Sequence, residues 1–106
     1  MFEINDEIWR VVFVSWSHPM MFRSDGSSTI GACNDESKTI YISEEIIDNP
    51  SLVKKVLCHE ITHAAMFSYN ISLSWEQEEL LADLIATYGQ EIVHMTNLIF
   101  NRLRVG

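Results

Sequence analysis

The chain reads as an α+β protein in which a short antiparallel or mixed sheet packs on one helix, and a second, long helix follows. Three observations carry that reading. Runs rich in β-branched and aromatic residues lie between Ile8 and Ser43. A helix start stands at Asn49-Pro50-Ser51, where Asn can cap free amides and Pro suits the first helical position. A second start stands at Ser74-Trp75-Glu76-Gln77, which fits the capping box.

The first strand is expected over Ile8-Trp9-Arg10-Val11-Val12-Phe13-Val14. Ser17 to Ser28 contains Pro19, Gly26 and several Ser, and reads as irregular. Thr29 to Cys33 and Lys38 to Ser43 form a hairpin around Asn34-Asp35-Glu36-Ser37, with Ile40 and Ile42 alternating against Thr39 and Tyr41. The helix that starts at Asn49 should end near Tyr69-Asn70, with Leu57, Ile61, Ala64, Ala65 and Ser68 on one stripe. The second helix should run past Ile92 toward Phe100. Its expected core stripe is Leu81, Leu84, Ile85, Tyr88, Ile92 and Met95; Ala82, Ala86 and Gly89 form a second face, narrow enough for another helix to approach.

At 106 residues the chain is expected to be one domain over residues 1–106. A formal charge of −8 with only seven Lys and Arg argues against a nucleic-acid surface, since phosphate neutralisation needs cations. The acidic opening Met1-Phe2-Glu3-Ile4-Asn5-Asp6-Glu7 has no signal-peptide pattern, and no segment has the length of a membrane span. A cytoplasmic protein with Cys33 and Cys58 reduced is therefore expected.

The chemistry concentrates in His59-Glu60-Ile61-Thr62-His63. On a helix, positions four apart share a face, so His59 and His63 can both reach one Zn²⁺ while Glu60 stands beside it as general base. Both His lie about 120–160° around the helix from Leu57 and Ile61, which leaves the apolar stripe free to bury itself. A third His is excluded at the position used by the extended motif: Tyr69 stands there and Met66 replaces its Gly. The third ligand must then come from the acidic second helix. Glu79 is preferred, with Glu78 the alternative and Glu76 and Asp83 behind them. Asp83, four residues after Glu79, could accept a hydrogen bond from the outer nitrogen of a ligand His. His18 and His94 read as ordinary histidines, and Tyr69 and Tyr88 as core or rim packing.

With zinc held by His59, His63 and Glu79, the leading chemistry is hydrolysis of a peptide bond, with the Ile40–Ser43 strand offering an edge to an extended substrate. The competing class is a non-catalytic zinc-binding protein or an acidic interaction or inhibitor protein. The strand hairpin (Ile30-Gly31-Ala32-Cys33 and Thr39-Ile40-Tyr41-Ile42), the helix with Leu57-Cys58-His59-Glu60-Ile61-Thr62-His63-Ala64 and the helix with Glu78-Glu79-Leu80-Leu81-Ala82-Asp83 resemble small zincins of the ImmA/IrrE type, often encoded by phages and mobile elements. The resemblance implies a minimal zinc metallopeptidase with His59 and His63 as ligands, Glu60 as base and a Glu of the second helix completing the site. It further implies a regulatory protein as substrate. So small a scaffold is itself expected to need a partner protein that presents the substrate. This chain has Leu81-Ala82-Asp83 where that family has Glu followed by Ala-Asn, which leaves Glu79 and Glu78 both open.

Overall fold

Asn5 and Asp6 both take the left-handed backbone conformation, with φ of 49° and 65°. Asn and Asp tolerate this region, and two such residues make the tight turn whose twist matches a hairpin. They join β1 (Phe2–Ile4) to β2 (Glu7–Val14). The sequence reading missed this first hairpin because it treated the segment only as a candidate signal. The structure, a computed structural model, describes residues 1–105, with the backbone alone at 105.

β3 (Gly31–Asn34) and β4 (Thr39–Ser43) form the second hairpin. Its turn is held by Asn34 Oδ1, which accepts from the Ser37 amide at 3.0 Å, and Lys38 has a positive φ. Lys38 therefore belongs to the turn. Thr29 is also outside the strand, since its amide donates to the Met21 carbonyl at 2.8 Å. The sheet order is β1-β2-β4-β3, with β2 and β4 parallel and the other two pairs antiparallel. The sheet is thus mixed, and β4 is central. The substrate edge expected at Ile40–Ser43 does not exist: β2 covers one side of β4 and β3 the other, so the free edge on this side of the sheet is that of β3.

One face of this sheet is covered by α1 (Pro50–Ser68). Trp9, Ile40, Ile42, Ile46 and Ala64 form the buried core, and Val53, Val56, Leu57 and Ile61 pack on it from the helix. The start of α1 has the expected cap, with Asn49 Oδ1 accepting from the Leu52 amide at 3.2 Å and Pro50 next. Its far end is tied to the sheet. Trp9 Nε1 donates to Ser68 Oγ at 2.8 Å, and Asn5 Nδ2 donates to the Ser68 carbonyl at 2.8 Å. Asn70, at φ 55°, then turns the chain out of the helix.

α2 (Trp75–Val105) begins on a complete capping box: the Ser74 amide donates to Gln77 Oε1 and the Gln77 amide to Ser74 Oγ, both at 3.1 Å. It packs on α1 through its small residues. Ala82 is fully buried, and Ala86 and Gly89 are partly so. α1 is consequently covered on two sides, by the sheet and by α2. The expected core stripe of α2 is corrected. Leu84, Tyr88, Ile92 and Met95 are all about half exposed, because α1 occupies the small-residue face and no other element reaches the second half of α2. This overhang stretches the molecule to 55 × 33 × 27 Å, with a radius of gyration of 15.8 Å. A compact chain of this length would have about 13 Å.

The Trp9–Ser68 bond joins the sheet to the end of the helix that carries the histidines. Trp9→Phe and Ser68→Ala should each lower unfolding stability by about 1–2 kcal/mol, the cost of stranding one buried partner. Urea denaturation followed by circular dichroism measures this. The double variant should lose clearly less than the sum, because both changes remove the same interaction.

Candidate metal centre

His59 and His63 project from the same side of α1, toward the first turns of α2. Their ring centroids are 4.9 Å apart and their Nε2 atoms 3.1 Å apart. The Glu79 carboxylate closes the group, with Oε1 2.8 Å from His63 Nε2 and Oε2 3.5 Å from His59 Nε2. One ligand atom from each of the three residues lies within 4.8 Å of the others. Two helices are needed for this. α1 supplies the pair at four-residue spacing, and the small face of α2 lets its carboxylates approach.

The outer edges of both rings are also held. His59 Nδ1 lies 2.9 Å from Asp83 Oδ1, and His63 Nδ1 lies 2.6 Å from Glu78 Oε1. Carboxylates accept, so both Nδ1 atoms donate, and that tautomer leaves the lone pair on each Nε2. The lone pairs of His59 and His63 then face each other and the Glu79 oxygens. Three acceptors pointed at one spot suit a cation there. Two imidazole nitrogens and one carboxylate are the ligand chemistry of a three-residue metal site with an open position. The residues present fit a metal ion.

Glu78 and Glu79 thus lie on different edges of His63. Adjacent residues on a helix diverge by about 100°, so only one of them can face the shared spot. Sequence phase left both open; Glu79 stands on the Nε2 side of His63 and Glu78 on its Nδ1 side. The role of Asp83 toward an outer nitrogen matches the expectation drawn from its spacing. Glu76 is exposed in the first turn of α2, away from the group.

Glu60 lies on the neighbouring side of α1, against β3, borders the same cleft as the histidines and is 7% exposed. Burial pushes its carboxyl above the usual carboxylate range, opposed by the two neighbouring imidazoles. Space for it exists because residue 31 is Gly. A Cβ there would stand 3.1 Å from Glu60 Oε2 and 2.5 Å from a Val56 methyl. Sequence reasoning did not find this seat, since a single Gly in a strand gives no sign of which side chain lies over it.

An open cleft of about 870 Å³ runs over the group, bordered by Thr29–Cys33 of the β3 edge on one side. Phe22, Arg23, Phe67 and Trp75 also line it, and Phe22 and Trp75 keep 43% and 70% of their surface exposed. Cys33 borders the cleft, but burial, with the Glu60, Asp35 and Glu78 carboxylates nearby, pushes its thiol up to about 12. It stays protonated at neutral pH and is no nucleophile. Cys58 is also a free thiol; its Sγ lies 3.9 Å from the Ile85 carbonyl, between the helices. His18 caps the turn at Pro19–Met21, accepting from the Met20 amide, and leans on Tyr41. His94, Tyr69 and Tyr88 are exposed and do not line the cleft.

These contacts rank the acids in a way that metal titration can read. With zinc as the probe and a chromogenic chelator as competitor, Glu79→Ala should weaken binding by at least about 100-fold. Glu78→Gln and Asp83→Asn should each cost about 10- to 100-fold, the usual effect of losing a group that orients a ligand imidazole. A Glu78→Gln loss larger than that of Glu79→Ala would reverse the assignment.

The model of the SprT-like family matches residues 3–79. That family is zinc-metallopeptidase-like and carries His-Glu-x-x-His, the element on which the likeness to ImmA/IrrE proteins also rests. No curated protein and no solved structure matches the chain.

Proposed function

We propose that this chain, which belongs to the SprT-like family, is a zinc-dependent peptidase. The observation that carries the reading is the convergence of His59, His63 and Glu79 on one point, beside the buried carboxyl of Glu60. His59, His63 and Glu79 are the zinc ligands of this reading. When bound, zinc supplies Lewis acidity, lowering the pKa of a water and polarising a carbonyl oxygen.

The chain's own groups do the rest. Glu60 takes the proton of the attacking water and returns it to the departing amine. Its placement on α1 next to His59, with Gly31 behind it, fixes where that proton exchange happens. Asp83 and Glu78 hold the imidazoles in the Nδ1–H tautomer and keep the rings aimed. The substrate is an extended protein segment that pairs along the free edge of β3, its amides meeting the strand's unpaired backbone groups. Phe22 and Trp75, exposed along the cleft, offer apolar contact to its side chains. The likeness to ImmA/IrrE proteins supports a regulatory protein as that substrate, which a partner protein presents. No helix among the described residues is long and apolar enough to cross a membrane. A cytoplasmic setting, in which Cys33 and Cys58 remain free thiols, completes the reading.

Glu60→Gln separates catalysis from metal binding. The zinc-loaded wild type should cleave an unfolded protein such as casein or members of a fluorogenic peptide library. Glu60→Gln should keep about one zinc per chain while its cleavage rate falls by about 100- to 10,000-fold, the range for losing a general base. Cleavage unchanged in Glu60→Gln would contradict the reading. A zinc-loaded wild type that cleaves nothing would favour a non-catalytic zinc-binding protein instead.

A further inference from the structure

From Gln90 to Arg104 every residue of α2 is exposed, although the segment is rich in large apolar side chains. An isolated helix of about this length is marginal in water, and most helical stability comes from packing an apolar face. Leu84, Tyr88, Ile92, Met95, Ile99 and Leu103 recur at spacings of three and four and form one stripe along the side of α2 next to its contact with α1. They are between 46 and 74% exposed.

We propose that this stripe pairs with the same stripe of a second copy of the chain, the two helices running antiparallel about a twofold axis between Val93 and His94. The stripe is self-complementary in that register. Leu84 meets the partner's Leu103, Tyr88 meets the partner's Ile99, and Ile92 meets the partner's Met95. These six side chains keep about half or more of their surface exposed, an apolar strip approaching the roughly 800 Å² that each partner contributes to a standard stable interface.

Charge selects the orientation. α2 carries its acids at Glu76, Glu78, Glu79, Asp83 and Glu91, and its arginines at Arg102 and Arg104. Parallel pairing would gather four arginines at one end, whereas antiparallel pairing keeps the arginines of the two chains at opposite ends and opposes the helix dipoles. In the antiparallel register Arg102 lies level with the partner's Ile85, where its stem extends the apolar contact. A membrane surface fits less well, because interfacial helices carry Lys and Arg along the polar face. The polar side here offers Gln90, His94, Asn97 and Asn101. The pairing lies beyond residues 3–79 and does not depend on metal or catalysis.

Sedimentation equilibrium at tens of micromolar tests it. The wild type should have twice the chain mass. Ile92→Glu/Ile99→Glu should have the single mass while keeping zinc binding and the near-ultraviolet signal of Trp9, and Asn97→Glu/Asn101→Glu should stay paired. Should the first variant fail to fold, Ile92→Ala/Ile99→Ala should raise the dissociation constant at least tenfold. Mild oxidation of Tyr88→Cys/Ile99→Cys should give a covalent pair whose peptide map joins position 88 to position 99; within one chain these are three turns apart and cannot bond. A wild type of single mass, with or without vesicle binding, overturns the proposal. So does a paired wild type that Ile92→Glu/Ile99→Glu leaves intact, or a map joining 88 to 88.

Discussion

Two imidazole nitrogens and a carboxylate held within a few ångströms of one another form a group that can take a metal ion. The rest of this fold serves to hold them there. His63 Nε2 is 3.1 Å from His59 Nε2 and 2.8 Å from Glu79 Oε1, while Asp83 and Glu78 take up the outer nitrogens. Metal bound to such an arrangement would couple binding energy to folding energy at this point. The helices must be rigid enough to impose it. α1 obtains that rigidity from coverage on both sides, by the sheet through Trp9 and Ala64 and by α2 through Ala82.

The same packing explains the division of labour around α1. Its sheet side carries Glu60, which fits only because Gly31 lacks a Cβ, and its α2 side carries the histidines. The buried Glu60 carboxyl and the His59–His63–Glu79 group thus sit on neighbouring sides of one helix, with the β3 edge passing beside them. The mixed sheet matters here: placing β4 inside the sheet and β3 outside leaves a free strand next to the cleft.

Much of this was legible from residue types and spacing. The His59–His63 pair, the Asn49-Pro50 start and the Ser74–Gln77 box are local signals, and local signals survive folding. The choice between Glu79 and Glu78 was not legible, since both sit on an acceptable phase of α2 and only the interhelical contact separates them. The β1–β2 hairpin was marked by Asn5-Asp6 but was read only for signal-peptide character. The Leu84–Met95 stripe was assigned to the core because periodicity reports an apolar face without reporting what covers it. The strand order was likewise beyond the sequence: Ile40–Ser43 and Gly31–Asn34 are both plausible edges until the parallel pairing of β2 with β4 is known.

The most direct test of the central claim is the X-ray absorption spectrum of the zinc-loaded protein at the metal edge. The account expects a first shell of nitrogen and oxygen alone at about 2.0–2.2 Å, with outer scattering from two imidazole rings. A sulfur contribution at about 2.3 Å would move the site to Cys33 or Cys58, and scattering from a single imidazole would break the His59–His63 pair; either result contradicts the account.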